Sequence, residues 1–165
     1  MRKIKFEEVR NEHLPKLLDI YNYYVVNSTA TFHTHLLSIK EMKELVMFDS
    51  ERYRTFVIIV GDEVCGYVIL TVHSKREAYR QTADVTVYLK HDYTGRGIGS
   101  SAIKYIEDFA RLKGFHVLIA GICGENSNSI ALFESNGYDK CAHYKEVGFK
   151  FGRLLDVVYY QKIIS

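Results

Sequence analysis

One segment limits the folds open to this chain more than any other. Thr82 to Leu89 alternates like a half-buried strand, with Val85, Val87 and Leu89 on one face and Asp84, Thr86 and Tyr88 on the other. Thr94-Gly95-Arg96-Gly97-Ile98-Gly99-Ser100 follows. Ile98, Ala102, Ile103, Ile106, Phe109 and Ala110 then recur at helical spacing up to Gly114. A strand feeding a glycine-rich turn that opens a helix calls for a sheet with helices packed on it. A helix N-terminus leaves N–H groups unpaired and carries partial positive charge, and glycines let that backbone approach a ligand. The turn is therefore built like a phosphate cradle, although a plain tight turn can carry the same glycines. A P-loop is excluded, because Ser100 and Ser101 stand where Lys and Ser/Thr are needed. A dinucleotide fold fits poorly. It places its glycines in the first β–α turn, with an acidic residue on the next strand, which here begins Phe115-His116-Val117.

The remaining elements follow from periodicity. Ile4–Val9 reads as a first strand, and Leu14, Leu17, Leu18, Tyr21 and Val25 mark a helix with Pro15 in its first turn. Ser38-Ile39-Lys40-Glu41 has capping-box spacing and predicts a helix from Ile39 to about Phe48. Thr55–Val60 and Val64–Val72 read as a hairpin around Gly61-Asp62, and the polar stretch His73–Gln81 as a loop. Phe115–Ile122 reads as a strand and Asn126–Asn136 as a shorter helix stopped by Gly137. Tyr144–Val147 and Leu154–Ile163 read as two late strands around Gly148 and Gly152. Hairpins combined with a crossover predict an α/β (α+β mixed) fold, a mixed sheet with helices on its faces.

The 165 residues suit a single domain, 1–165, large enough to bury a core. Apolar residues at 47% and charged residues at 25% are the balance of a soluble globular protein. No apolar run reaches the roughly 20 residues that span a bilayer, and no signal-peptide core follows Met1-Arg2-Lys3. A net charge of +2, with both signs mixed along the chain, gives no footprint for nucleic acid. Cys65, Cys123 and Cys141 lack metal-ligand spacing, and their odd number suits a reducing cytoplasm.

Segment order, glycine turn and following helix resemble the GNAT acyltransferase superfamily, whose signature is Gln or Arg, two residues, Gly, one residue, Gly or Ala. Gly97 and Gly99 fit; Thr94 replaces the Gln or Arg. More closely, Tyr21–Phe32, Ala78-Tyr79-Arg80, Thr82, Val87-Tyr88, Gly114–Ala120, Gly124-Glu125-Asn126, Ser129–Leu132, Lys145–Arg153 and Asp156–Tyr159 resemble the phosphinothricin and methionine-sulfoximine N-acetyltransferases. The resemblance spans almost the whole chain.

That resemblance implies a GNAT-type twisted mixed sheet of about seven strands flanked by about four helices. It implies direct acetyl transfer from acetyl-CoA, used as co-substrate, to the primary amine of a small amino-acid-like molecule. It implies no metal, no nucleic-acid or membrane partner, a cytoplasmic location and a homodimer. The pantetheine arm would run along Val87, Tyr88 and Leu89, with the Leu89 N–H polarising the thioester carbonyl. The diphosphate would sit on Thr94, Gly95, Arg96, Gly97, Ile98, Gly99 and Ser100, and Asn126 and Ser129 would complete the site. Asp84 stands where the family carries its glutamate base, one methylene shorter. An unperturbed aspartate, with a pKa of about 3.9, needs burial or a bridging water for that task. Phe133 occupies the proton-donor position and cannot donate. Tyr138 and His143 lie nearby in sequence without an assigned task. The substrate pocket maps to Phe32, Arg76, Tyr79 and Tyr88, with Tyr23 or Tyr24 as further lining and Arg76 suited to an acidic group. His33, His35 and Cys123 read as surface or core residues. The competing readings are an acetyltransferase for a polyamine, an antibiotic or a protein N-terminus, and an acyl-CoA-binding module without turnover.

Overall fold

A computed structural model describes residues 3–165. In chain order the elements are β1 (Ile4–Glu8), α1 (Leu14–Asn27), α2 (Ile39–Val46), β2 (Arg54–Val60), β3 (Glu63–Val72), β4 (Thr82–Leu89), α3 (Ile98–Leu112), β5 (Val117–Cys123), α4 (Ser127–Ser135), β6 (Asp139–Lys150) and β7 (Arg153–Ile163). Seven strands form one sheet in the order β1-β2-β3-β4-β5-β7-β6, and four helices flank it. Every neighbouring pair is antiparallel except β4 and β5.

Local chemistry sets the boundaries. Pro15 lies in the first turn of α1, where its missing N–H has no intrahelical partner to lose. Ser38 Oγ accepts the Glu41 N–H while the Glu41 carboxylate accepts the Ser38 N–H, closing the capping box that starts α2. Gly61 turns the β2–β3 hairpin in a left-handed conformation.

The alternation of β4 is explained by two cores, one on each sheet face. Val85, with Ile103, Ile106, Leu118 and Phe133, belongs to the core under α3 and α4. Tyr88 packs on the opposite core, built from Leu17, Tyr21, Met42 and Tyr67 under α1 and α2. Both cores hold side chains with no exposed surface, each worth about 1.5–3 kcal/mol of burial.

The pairing of β4 with β5 covers only Thr82–Asp84 against Val117–Ile119. Beyond Asp84 the two strands diverge, while β4 stays paired to β3 through Leu89 and β5 to β7 through Cys123. The sheet is thus split at its centre.

The first of the two late strands is longer than its sequence suggests. It runs Asp139–Lys150 rather than Tyr144–Val147, with a register shift between Tyr144 and Gly148. It is the sheet edge and largely exposed, so no burial pattern marks its length in the sequence. Glu146 takes a positive φ of 57° in the bulge, and its N–H is held by the Asp156 carboxylate. Among the described residues no helix is long and apolar enough to cross a membrane.

Candidate active site

The split between β4 and β5 opens into a cleft of about 1180 Å³. Its walls include Val87, Tyr88, Leu89, Thr94, Gly95, Gly97, Gly99, Ser100, Asn126 and Ser129. Residues from β4, the glycine turn and α4 are therefore brought to one place.

The β4 wall offers backbone donors. The Lys90 N–H bonds the Cys65 carbonyl across the β3 side at 2.7 Å. Alternation along an antiparallel strand then turns the N–H and C=O of Leu89, Val87 and Val85 to the opposite edge. That is the edge β5 has left. The Leu89 carbonyl there accepts the Tyr24 hydroxyl. Burial, helped by Tyr23, pushes the Tyr24 phenol up to about 12, so it is a donor at neutral pH. Open edge groups of this kind accept an extended ligand as an added strand.

The glycine turn offers a second set. Gly97, the residue before α3, has φ of +78° and no side chain capping the helix. The first intrahelical bond is Ser101 N–H to the Gly97 carbonyl, which leaves the N–H groups of Ile98, Gly99 and Ser100 available. A Cβ on Gly99 would sit 2.9 Å from Leu132 Cδ2, so glycine lets α3 and α4 approach. Thr94 turns back to donate its hydroxyl to the His91 carbonyl. Arg96 is outside the wall, its guanidinium 4.8 Å from the centre of the Tyr93 ring. The Ile98 side chain is in the core, so only its backbone can face a ligand.

Asn126 precedes α4 and caps it, its Oδ1 accepting the Ser129 N–H. The Asn126 amide N–H₂ has no protein partner among the described residues and is available as a donor. Phe133, also in the wall, lies edge-on to Tyr138, whose buried hydroxyl has no hydrogen-bond partner among the described residues and whose ionisation burial pushes far up. Neither side chain is an acid for neutral pH.

The sequence did not point to the third wall, formed by Asn27, Ser28, Thr29 and Ala30 together with Glu125, Phe151 and Arg153. Arg153 grips Glu125 with two bonds of 2.8 Å, and the Thr29 hydroxyl donates to the same carboxylate. Arg153 first, then Thr29, holds the Glu125 carboxyl down to about 2. Behind them, buried Lys150 donates its ammonium to the Ser28 and Thr31 carbonyls at 2.8 and 2.7 Å. These partners come from three distant segments.

Asp84, Phe32, Arg76 and Tyr79 are not in the cleft wall, although Tyr88 is. Asp84 projects on the same sheet face as Thr86 and Tyr88, at the last paired position before the split. Its Oδ1 lies 2.7 Å from His73 Nδ1, and the Tyr79 ring packs against the His73 ring. Tyr159 covers Gly121 on the neighbouring strand, feels the Asp84 charge and touches Tyr144. Phe32 rests on Gly148, where a Cβ would overlap its ring. Arg76 is exposed, and its guanidinium has no ion-pair partner among the described residues. No group of three or more His, Cys, Asp or Glu among the described residues is placed to hold a metal ion.

Known proteins share this sequence pattern and fold. Residues 6–159 match the acetyltransferase (GNAT) domain family. A phosphinothricin N-acetyltransferase of Streptomyces coelicolor is 32% identical over 92% of this chain and 91% of its own. An L-methionine sulfoximine/L-methionine sulfone acetyltransferase of Pseudomonas aeruginosa is also 32% identical, over 90% and 87%. The crystal structure of a GNAT superfamily phosphinothricin acetyltransferase from Sinorhizobium meliloti in complex with acetyl-CoA superposes with a TM-score of 0.92 at 27% identity, covering 98% of this chain and 89% of that one.

Proposed function

The chain belongs to the acetyltransferase (GNAT) domain family and is an acetyl-CoA-dependent N-acetyltransferase; from that premise we propose that its acceptor is the primary amine of a small amino-acid-like molecule of the phosphinothricin or methionine sulfoximine type. The split between β4 and β5 carries the reading, because it presents a strand edge and a helix N-terminus in one cleft. The residues there suit acetyl-CoA. The N–H groups of Gly97 to Ser100 meet the diphosphate, the Val87 and Leu89 edge pairs with the pantetheine amides, and Asn126 donates to the same arm. Acetyl-CoA supplies the activated acyl group as a thioester.

In this reading the Leu89 N–H is aimed at the thioester carbonyl oxygen and stabilises the charge that develops on it. Asp84, on the same face and just before the split, lies on the side from which an amine approaches and is the catalytic carboxylate. Burial pushes its carboxyl up, opposed by the His73 hydrogen bond, which moves it toward the range useful for a proton acceptor. Phe133 leaves protonation of the departing thiolate to water. Phe32, Tyr79 and Tyr88 frame the acceptor, and Arg76 offers a fork to its carboxylate. A homodimer belongs to the same reading, with the exposed Val147, Phe149, Phe151 and Leu154 as surface to cover.

A thiol-release assay with acetyl-CoA tests the acceptor. The panel is methionine sulfoximine, phosphinothricin, methionine sulfone, spermidine and an alanine-terminated peptide. Preference for the first three is expected. Turnover confined to spermidine or to the peptide overturns the acceptor assignment. Sedimentation at micromolar concentration tests the dimer.

A further inference from the structure

His73 has so far been given only its hydrogen bond to Asp84, yet its position beside that carboxylate suits a proton acceptor. It follows β3 directly, and Thr71 of that strand lies opposite Asp84. Period-two alternation puts Thr71, His73 and Asp84 on one sheet face. Its Nδ1 meets the Asp84 carboxylate at 2.7 Å, and its side chain is 30% exposed. A carboxylate accepts only, so the bond requires the proton on Nδ1. The neutral ring then keeps a free lone pair on Nε2.

We propose that His73 and Asp84 form a dyad in which His73 Nε2 takes the proton from the acceptor amine and Asp84 fixes the imidazole. This rests on the reading that the Asp84 face receives the amine. The chemistry favours the imidazole over the carboxylate for the transfer itself. Aspartate is a short, weak base against an alkyl ammonium, whereas histidine is the side chain that exchanges protons nearest neutrality. A carboxylate on the far ring nitrogen orients the ring and stabilises the imidazolium that forms. In the step, the amine nitrogen bonds to the acetyl carbon, the C–S bond breaks with its electron pair going to sulfur, and the surplus nitrogen proton passes to Nε2. The imidazolium returns that proton to water, and the thiolate takes one from water.

The pair has few titrating neighbours. Tyr79 from the connecting loop faces His73, and Tyr159 from β7 faces Asp84. Thr71 from β3 and Ile119 from β5 flank Asp84 and do not titrate. Lys75, Arg76 and Glu77 follow His73 along the loop.

The test is the pH dependence of kcat for His73→Gln and Asp84→Asn with methionine sulfoximine, beside the acetyl-CoA KM. The dyad predicts that His73→Gln lowers kcat at least thirtyfold and removes the acid limb of the profile, with the acetyl-CoA KM unchanged. It predicts that Asp84→Asn moves that limb to lower pH. If His73→Gln keeps the wild-type profile while Asp84→Asn loses activity, the dyad is wrong and Asp84 acts alone. If neither changes kcat, the placement of the acceptor on this face fails as well. Ring ¹⁵N spectra of the intact protein decide independently of turnover. The Nδ1–H tautomer and a titration midpoint lowered by Asp84→Asn are expected. The Nε2–H tautomer, or a midpoint that ignores Asp84, overturns the dyad.

Discussion

The two sides of the split sheet are built on different principles. In the proposed reading the donor side, from Val87 to Ser100, is made of backbone groups whose direction is fixed by strand alternation and by a helix start, with the Asn126 amide beside them. In the same reading the acceptor side, around His73, Tyr79, Asp84 and Tyr159, is made of side chains that project from the β3–β4 connection, β4 and β7. A backbone site tolerates sequence change so long as the glycines remain, which would allow Thr94 at its start. A side-chain site changes character with one substitution. The difference teaches where specificity would reside in this reading: in the side chains of the acceptor side.

The comparison is most exposed at Gly97. Gly97→Val forces a β-branched side chain into a left-handed conformation, about 1–3 kcal/mol of strain, at the start of the proposed cradle. A rise of ten- to hundredfold, roughly 1.4–2.7 kcal/mol, is expected in the acetyl-CoA KM with the amine KM unchanged. An amine KM that rises equally would erase the distinction between the two sides.

The opposite signature is expected from Lys150→Met. It leaves the Ser28 and Thr31 carbonyls unpaired just ahead of Phe32, a destabilisation of about 1–3 kcal/mol. The amine KM should rise roughly five- to tenfold, with little change for acetyl-CoA. Steady-state kinetics with both substrates varied, beside a thermal melt, reads this.

Tyr24→Phe touches the seam between the sides, since Tyr24 bonds the Leu89 carbonyl. Loss of one hydrogen bond, about 0.5–1.5 kcal/mol, predicts a kcat lowered some two- to tenfold with both KM values near wild type. An unchanged kcat would show that the Leu89 edge needs no support from α1.

Arg153→Met should have the smallest effect on turnover, and its cost in stability should be full at neutral pH and fade in acid. The Glu125 carboxyl is held at about 2 in the fold against an ordinary 4.5. Its contribution is therefore present above about 4.5 and lost as pH falls toward 2. Without Arg153 that contribution is absent, so acid unfolding followed by circular dichroism should begin at higher pH than in the wild type. Coincident curves would mean that the brace between Thr29, Glu125 and Arg153 carries no stability.

Features resting on backbone chemistry were legible in the sequence. The capping box at Ser38 and Glu41, the alternation of β4 and the left-handed glycine before α3 all stand where periodicity and residue type put them. Features resting on tertiary encounters were not. The bulge at Glu146 depends on Asp156, ten residues away, and lies on an exposed edge without burial periodicity. Glu125 meets Thr29 across 96 positions, and Lys150 reaches Ser28 across 122. His73 sits in a polar stretch that reads as a loop, and only the strand register brings it to Asp84. The early end of the β4–β5 pairing left no mark either, because both strands continue as strands past the point where they part.

That short pairing has a thermodynamic consequence. Only three registered positions join β1–β4 to β5–β7, so the sheet is two part-sheets held together at one end. In the proposed reading a pantetheine arm along Val87 and Leu89 would fill the opening between them as a transient strand of non-protein origin. By mass action, a metabolite present at a hundred times its Kd adds about 2.7 kcal/mol to folding stability. The fold would then be most cohesive when charged with acetyl donor, and its persistence in a cell would follow the size of the acetyl-CoA pool.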